Sequence, residues 1–368
     1  MQLLDRFLLW LLSAPAVATH LLGGYIRVVP TAAAPLQQEI YVILFMDVVL
    51  GTAAVSFAEE IPLCFGDGNQ GTARRISRTP LAQNNRIEIH VYRATYTYAG
   101  PATYTISTSI TNRTASRNLP NGAALTFGLS TLFVLNPTLP NQTPTITLPE
   151  GGFRAALNQP NTISLRGTDA ENDSLSYALI RPVSGTTTNC GLSPTPQYSF
   201  PNEVTRRGVF SINSRTGDLT WNAPTEIGTY IASMLVTERR GGVVLSQMRY
   251  EMMIFAEDRG GAAGVIPPYE PAIEGGILTA VPEGLPEELA VYPVPAQQQL
   301  RVRLLSPVAV PARIQLIDLN GRMLREEVQS VPGQRHEQVF DVRHLPSGTY
   351  LMKVILPNQS HTRKWVKL

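Results

Sequence analysis

The chain has 368 residues, 43% of them hydrophobic and 16% charged, with a formal net charge of +2. That size holds two or three domains with ordinary cores. With 28 glycines and 29 prolines and no long helical periodicity, it reads as all-β and rich in turns. No basic stripe with interleaved aromatics is present, which argues against nucleic-acid binding.

Charge is unevenly placed. Residues 301–368 carry 11 Lys or Arg against 5 Asp or Glu, a balance of +6, while the remainder stands at −4. All three lysines, Lys353, Lys364 and Lys367, lie in that last stretch. The part before it lacks the amine that Schiff-base catalysis and phosphate loops use.

Residues 1–18 have the form of a secretory signal peptide. A short basic start at Arg6 precedes the apolar run Phe7–Leu12 and the small-x-small Ala16-Val17-Ala18. The apolar run is too short to span a bilayer, so a mature start at Thr19 and no transmembrane helix are expected. Residues 19–138 read as an N-terminal β domain. Its opening, His20-Leu21-Leu22-Gly23-Gly24-Tyr25-Ile26, resembles the start of large Bacteroidetes surface proteins. The apolar stretch Tyr41–Ala58 contains Asp47 and many β-branched residues. Two buried strands meeting near Gly51 are expected there rather than a membrane span. His90 alternates with Ile89 and Val91, which predicts an exposed strand histidine.

A run rich in Pro, Asn and Thr from Asn136 to Pro144 marks a boundary, with a second domain expected at 139–258. There Gly167-Thr168-Asp169-Ala170-Glu171-Asn172-Asp173 precedes Leu175-Ser176-Tyr177. Thr216-Gly217 then makes a tight turn before Leu219 and Trp221, which point the same way, Trp221 as a core anchor. This order resembles the cadherin-like or immunoglobulin-like repeats of bacterial surface proteins and implies a β-sandwich. Asp169, Glu171 and Asp173 alternate as oxygen ligands for Ca²⁺ do, and the resemblance implies a comparable acidic loop in some relatives. Glu238 stands where the family has a later Asp, and Asp218 and Asp258 are further candidates to complete a set. The alternative is a solvated acidic turn. No other cofactor is expected. Asp173-Ser174-Leu175 resembles Bacteroidetes O-glycosylation sites and marks Ser174.

The two cysteines, Cys64 and Cys190, fall in different proposed domains. Export to an oxidising compartment permits a disulfide between them if those domains pack together; otherwise they are separate thiols.

Residues 259–288, rich in Gly, Pro, Ala and Glu, read as a flexible linker. The region 289–368 then shows Tyr292-Pro293-Val294-Pro295, Asp318-Leu319-Asn320-Gly321, Leu345-Pro346-Ser347-Gly348-Thr349-Tyr350 and a basic end around Lys364. Alternating runs such as Leu300–Leu304 and Arg313–Ile317 predict strands, Asn320-Gly321 predicts a hairpin turn, and about seven short strands predict a small antiparallel sandwich. These ordered motifs resemble the C-terminal sorting domain of the type IX secretion system, with Val294 where that family has Asn. The residues carrying the resemblance are Tyr292, Pro293, Pro295, Asp318, Gly321, Leu345, Gly348, Tyr350 and Lys364. It implies an immunoglobulin-like fold, the type IX machinery as partner, and a secreted or cell-surface protein.

Catalysis finds little footing. Before the tail there are only His20 and His90, with no Gly-x-Ser-x-Gly elbow and no His-Glu-x-x-His helix. The reading is an all-β chain of tandem antiparallel sandwiches without catalytic residues, exported to bind, adhere or build. Its ligand would be a cell-surface glycan or protein. One alternative is a glycan-directed extracellular hydrolase with dispersed carboxylates. Another is a subunit of a surface or gliding-associated assembly.

Overall fold

The computed structural model describes residues 21–32, 34–49, 59–186, 190–275, 288–319, 321–356 and 360–368. The expected leader and the joint near Gly51 lie outside them. The described residues contain no α-helix. They divide into two compact units, one up to Ile277 and one from Leu278.

The first unit holds β1 (Leu21–Thr31), β2 (Ala34–Asp47), β3 (Glu60–Cys64), β4 (Gln70–Leu81), β5 (Asn84–Thr97), β6 (Ala102–Ile110) and β7 (Phe127–Leu135). Short strands follow: β8 (Thr145–Ile146), β9 (Arg154–Ala156), β10 (Asn161–Ser164), β11 (Gly167–Thr168), β12 (Ser174–Ile180), β13 (Val183–Gly185), β14 (Leu192–Pro194), β15 (Val209–Ile212) and β16 (Asp218–Asn222). It closes with two long strands, β17 (Gly228–Arg240) and β18 (Val243–Glu257). The sheet order β18-β1-β2-β5-β4-β3-β6-β7, with β7 pairing back to β18, makes a ring of eight strands. Closure leaves these eight strands without a free edge, the usual liability of a β-sheet, while β12 and β14 end the branches beyond the ring.

Strand alternation then gives two cores with a shared wall. On β2, Ile40, Val42, Leu44 and Met46 face the core inside the ring. The intervening Ile43 and Phe45 face a second core with Ile87 of β5 and Tyr230, Met234, Tyr250 and Ile254 of β17 and β18. A small sheet, β10-β16-β15, brings Ile163, Leu219, Trp221 and Phe210 to that second core. The apolar run ending in Asp47 is therefore a strand buried on both sides. That is why it lacks a polar face.

The expected boundary at 138/139 separates no compact units. β18 pairs with β17 along its length, and on its other edge meets β7, β1 and β9 in turn. The Asn136–Pro144 segment is bound, not free: Thr143 N donates to the Val28 carbonyl at 3.0 Å. Cys64 and Cys190 form a disulfide with Cα atoms 5.6 Å apart. His90 is also corrected. From Ile87 to Tyr92 both faces of β5 are covered, so His90 is fully buried, with Nε2 2.9 Å from a Glu88 carboxylate oxygen. Burial lowers its pKa against the opposing pull of Glu88. The described part of the 259–288 segment is likewise seated: Gly275 N donates to Leu179 O at 2.7 Å and Glu270 N to Gly208 O at 3.2 Å.

One buried ion pair joins these elements. Period-two alternation on β18 sends Met248, Tyr250 and Met252 to the second core and leaves Glu251 on the opposite face. There Arg113, 1% exposed, meets it with Nη1 2.5 Å from Glu251 Oε1. The same guanidinium donates to Val183 O at 2.6 Å and Thr126 O at 3.1 Å and lies over the Phe127 ring. Close approach of β1 is allowed by glycine. A Cβ on Gly23 would stand 2.2 Å from the Glu251 carbonyl oxygen, and one on Gly24 2.3 Å from that of Ile43.

The second unit holds β19 (Glu288–Tyr292), β20 (Gln299–Asp318), β21 (Met323–Asp341), β22 (Gly348–Ile355) and β23 (Ser360–Lys367). Five strands stand where about seven were expected, because β20 and β21 run through 20 and 19 residues without a break. The first part of β20 pairs with β19 and the later part with β22. Leu300, Val302, Ile314, Leu316, Phe340, Met352, Val354 and Trp365 fill one core.

Arg113→Met is expected to destabilise the chain by about 3–5 kcal/mol in denaturant unfolding, because it strands a buried carboxylate. Adding Glu251→Met should recover part of that loss. Cys64→Ser with Cys190→Ser, which opens a link across 126 residues, is expected to cost about 2–5 kcal/mol.

Candidate functional site

The acidic loop is built by Asp169. Its Oδ1 accepts the backbone N–H groups of Glu171 at 3.1 Å and Asp173 at 2.8 Å. Those bonds wind the loop so that Asp169 and Asp173 converge while Glu171 turns away. The Glu171 carboxylate accepts instead from Gln142 N at 3.4 Å. The third carboxylate comes from β17: ligand atoms of Asp169, Asp173 and Glu238 all lie within 4.8 Å of one another. Asp218 and Asp258 are elsewhere, accepting from Thr216 and from Gly260 N.

The three acids differ in what they still lack. Both Asp173 oxygens accept from Arg240, the closest at 2.6 Å. Asp169 Oδ2 and Glu238 Oε1 are buried without a hydrogen-bond partner. Glu238 is 0% exposed, and its other oxygen accepts from Ser246. Burial pushes the Glu238 carboxyl up to about 8, and the Asp169 and Asp173 charges add to the rise. An orphaned buried carboxylate oxygen costs roughly 1–3 kcal/mol or more unless something satisfies it.

The residues fit a hard divalent cation. Oxygens that share a Ca²⁺ at about 2.3–2.6 Å lie no more than roughly 5 Å apart, which the cluster meets. Arg240 also donates to Asn141 Oδ1 at 2.9 Å, so the supposed linker closes one side. Ser174 begins edge strand β12, exposed, with its hydroxyl donating to Arg239 O at 2.8 Å.

In the second unit, the motif residues are mostly the joints of the fold. Asp318 Oδ1 accepts from Arg322 N at 2.9 Å and its carbonyl from Gly321 N at 3.1 Å. Gly321 has φ +83°, which a side chain would strain. Asn320 of that turn lies outside the described residues. Leu345 N donates to Val342 O at 3.1 Å, and the Tyr350 hydroxyl donates to Pro346 O at 2.9 Å, closing the turn that contains Gly348. The Tyr350 ring stacks on Trp365 at 5.2 Å. Beyond Tyr292, Pro293 and Pro295, Ala296 pairs with the end of β23: its N–H donates to Val366 O at 2.9 Å, and Leu368 N donates back at 3.0 Å. The first and last motifs therefore meet in space. Lys364 is exposed.

Solved structures similar to the chain include titin domains A168–A170, at 9% identity and TM-score 0.17, covering 95% of this chain and 100% of that one. A structure described as the basis for Dscam isoform specificity covers 89% and 69% at 7% identity and TM-score 0.15. The N-terminal four Ig domains of Dscam1 isoform 4.44 cover 94% and 74% at 8% identity and TM-score 0.16. Likeness at this level assigns nothing to the chain. No curated protein matches it. Residues 290–368 match the family described as the secretion system C-terminal sorting domain.

Without a cation, Glu238 holds its proton in the folded chain up to about 8, whereas in the unfolded chain it loses it near 4.5. Between those values the folded state binds more protons, so stability falls as pH rises through the window. In chelator, the melting temperature should drop between pH 5 and pH 8, and Glu238→Gln should flatten that slope. Tyr350→Phe is expected to cost the second unit about 1 kcal/mol in denaturant unfolding. With the geometry and the family match together, residues 290–368 are a type IX secretion C-terminal sorting domain, and the chain is a secreted or cell-surface protein.

Proposed function

We propose that the chain is a surface-displayed binding or structural protein whose first unit is cargo and whose tail is its export signal. The observation that carries the export half is the ordered motif set at 290–368 together with the family match there. The first unit supplies rigidity: a closed ring, a shared wall and a disulfide across 126 residues. Rigid β scaffolds of this kind work by presenting loops to a partner, here a cell-surface glycan or protein. In this reading a Ca²⁺ ion joins the acidic loop to β17 by neutralising Asp169 and Glu238, with Asp173 shared with Arg240. Asn141 would then tie the connector to the same point. Ser174, exposed beside this loop, is the proposed O-glycosylation position.

The hydrolase reading is weaker on two counts. A general acid must reach its substrate, and Glu238, the carboxyl with the pKa suited to that task, is fully buried. Two open clefts, one around Gly151 and Arg259 and one between β12 and β15, each hold a single carboxylate, Glu150 and Glu270. A pair is what glycoside hydrolysis needs. Membership of a surface or gliding-associated assembly remains within the display reading and is separated by co-purification of a fixed partner.

Deleting residues 289–368 and fractionating the native host tests export, and surface delivery should be lost. For the cargo, millimolar CaCl₂ should raise the melting temperature more at pH 8 than at pH 6, because the ion needs ionised Glu238. Asp169→Asn with Glu238→Gln should abolish the gain, and no gain at either pH would remove the cation.

A further inference from the structure

The tail neutralises only some of its cations with carboxylates of its own. Three arginines are neutralised locally: Arg325 by Glu327 at 2.8 Å, Arg335 by Glu337 at 2.8 Å and Arg343 by Asp341 at 2.6 Å. The other two acids of residues 301–368 accept neutral hydrogen bonds. Glu326 accepts from Gln315 at 2.7 Å, and Asp318 holds the β20–β21 turn. Arg313, Lys353 and Lys364 have no carboxylate partner among the described residues.

These three cations are neighbours on one sheet face. Gln315 sits opposite Lys353 and Arg313 opposite Ile355, so Arg313 is diagonal to Lys353. Lys364 sits opposite Leu351, and Thr362 opposite Lys353, so Lys364 is diagonal to Lys353 as well. All three point away from the core built by Ile314, Met352, Val354 and Trp365. Like charges at such diagonal positions repel. Between them the same face shows the half-buried Ile317, Leu351 and Ile355. A basic row laced with apolar side chains, with Glu326 diagonal to Arg313 at its β21 edge, suits a partner that brings its own carboxylates.

We propose that the outer face of β20, β22 and β23 is the surface by which the tail is recognised, and that its occupant is an acidic, partly apolar face of a protein of the export machinery. The proposal rests on the tail being a sorting domain and adds where that domain is read. The motif residues at the turns fold the unit, while this face, with Lys364 of the last motif on it, makes the contact. A protein occupant fits better than a membrane. Anionic lipid surfaces are ordinarily held by clusters of about 4–8 basic residues, and this row has three with apolar spacers.

The test uses the full chain in its native host. Arg313→Glu with Lys353→Glu and Lys364→Glu should lower the surface and released fraction about tenfold or more, with the chain retained inside the outer membrane and the purified protein melting as wild type. Lys353→Gln with Lys364→Gln gives a milder version if the triple variant does not fold, and should lower export in the same direction. Arg335→Gln with Arg343→Gln removes paired cations and should leave export unchanged. Wild-type export of both face variants overturns the proposal, as does equal loss from the paired-cation control. Binding of the purified chain to phosphatidylglycerol vesicles that is lost in the triple variant overturns it in favour of a lipid occupant. A strain lacking residues 289–368, run in parallel, separates the two levels. If that strain still exports, the sorting reading itself fails.

Discussion

The first unit depends on a single buried charge pair. Arg113 and Glu251 are both withdrawn from water, a step that costs several kcal/mol per ion before any attraction is counted. The geometry offsets it by using the whole guanidinium. One nitrogen meets the carboxylate, two meet backbone carbonyls, and the flat face rests on Phe127. Because those carbonyls belong to Thr126 and Val183 and the carboxylate to β18, the pair fixes three distant stretches of chain at one point. It specifies how the ring closes more than it adds stability. Any alternative pairing of β18 would leave two ions buried apart.

That knot explains why the cargo is one body. β1, β2 and β5 each give side chains to both cores. Neither core can be removed without stripping a wall from the other. The acidic cluster lies where the connector after β7 crosses the loop before β12, and it is held by atoms from both sides of the sequence: Asn141, Asp173, Glu238 and Arg240. The division of labour differs in the tail. There Asp318, Gly321, Leu345 and Tyr350 spend their chemistry on turns and packing, leaving recognition to side chains that the fold does not need.

Local pattern was legible, and long-range pairing was not. The alternation of Leu219 and Trp221, the turn at Gly321 and the unbroken apolar run before Asp47 each follow from neighbours in sequence. His90 was misread for a physical reason: alternation with Ile89 and Val91 implies an exposed face only if the sheet has one there, and from Ile87 to Tyr92 β5 has none. The Asn136–Pro144 segment has a linker's composition, yet Thr143 is bonded to β1. Glu171 shares the spacing of a ligand, but spacing does not reveal that Asp169 would use its own loop N–H groups to turn that side chain outward. Glu238 was visible as a candidate through resemblance. Its burial and missing partner could come only from the fold.

The covalent link between Cys64 and Cys190 has a bearing on transit. Once oxidised, it closes a loop of 126 residues whose interior holds four of the ring's eight strands. Such a chain cannot be threaded in single file. Any gate it passes after oxidation must either admit a bulky, already shaped object or wait upon a reductant, and gate width becomes a measurable requirement of the cargo itself.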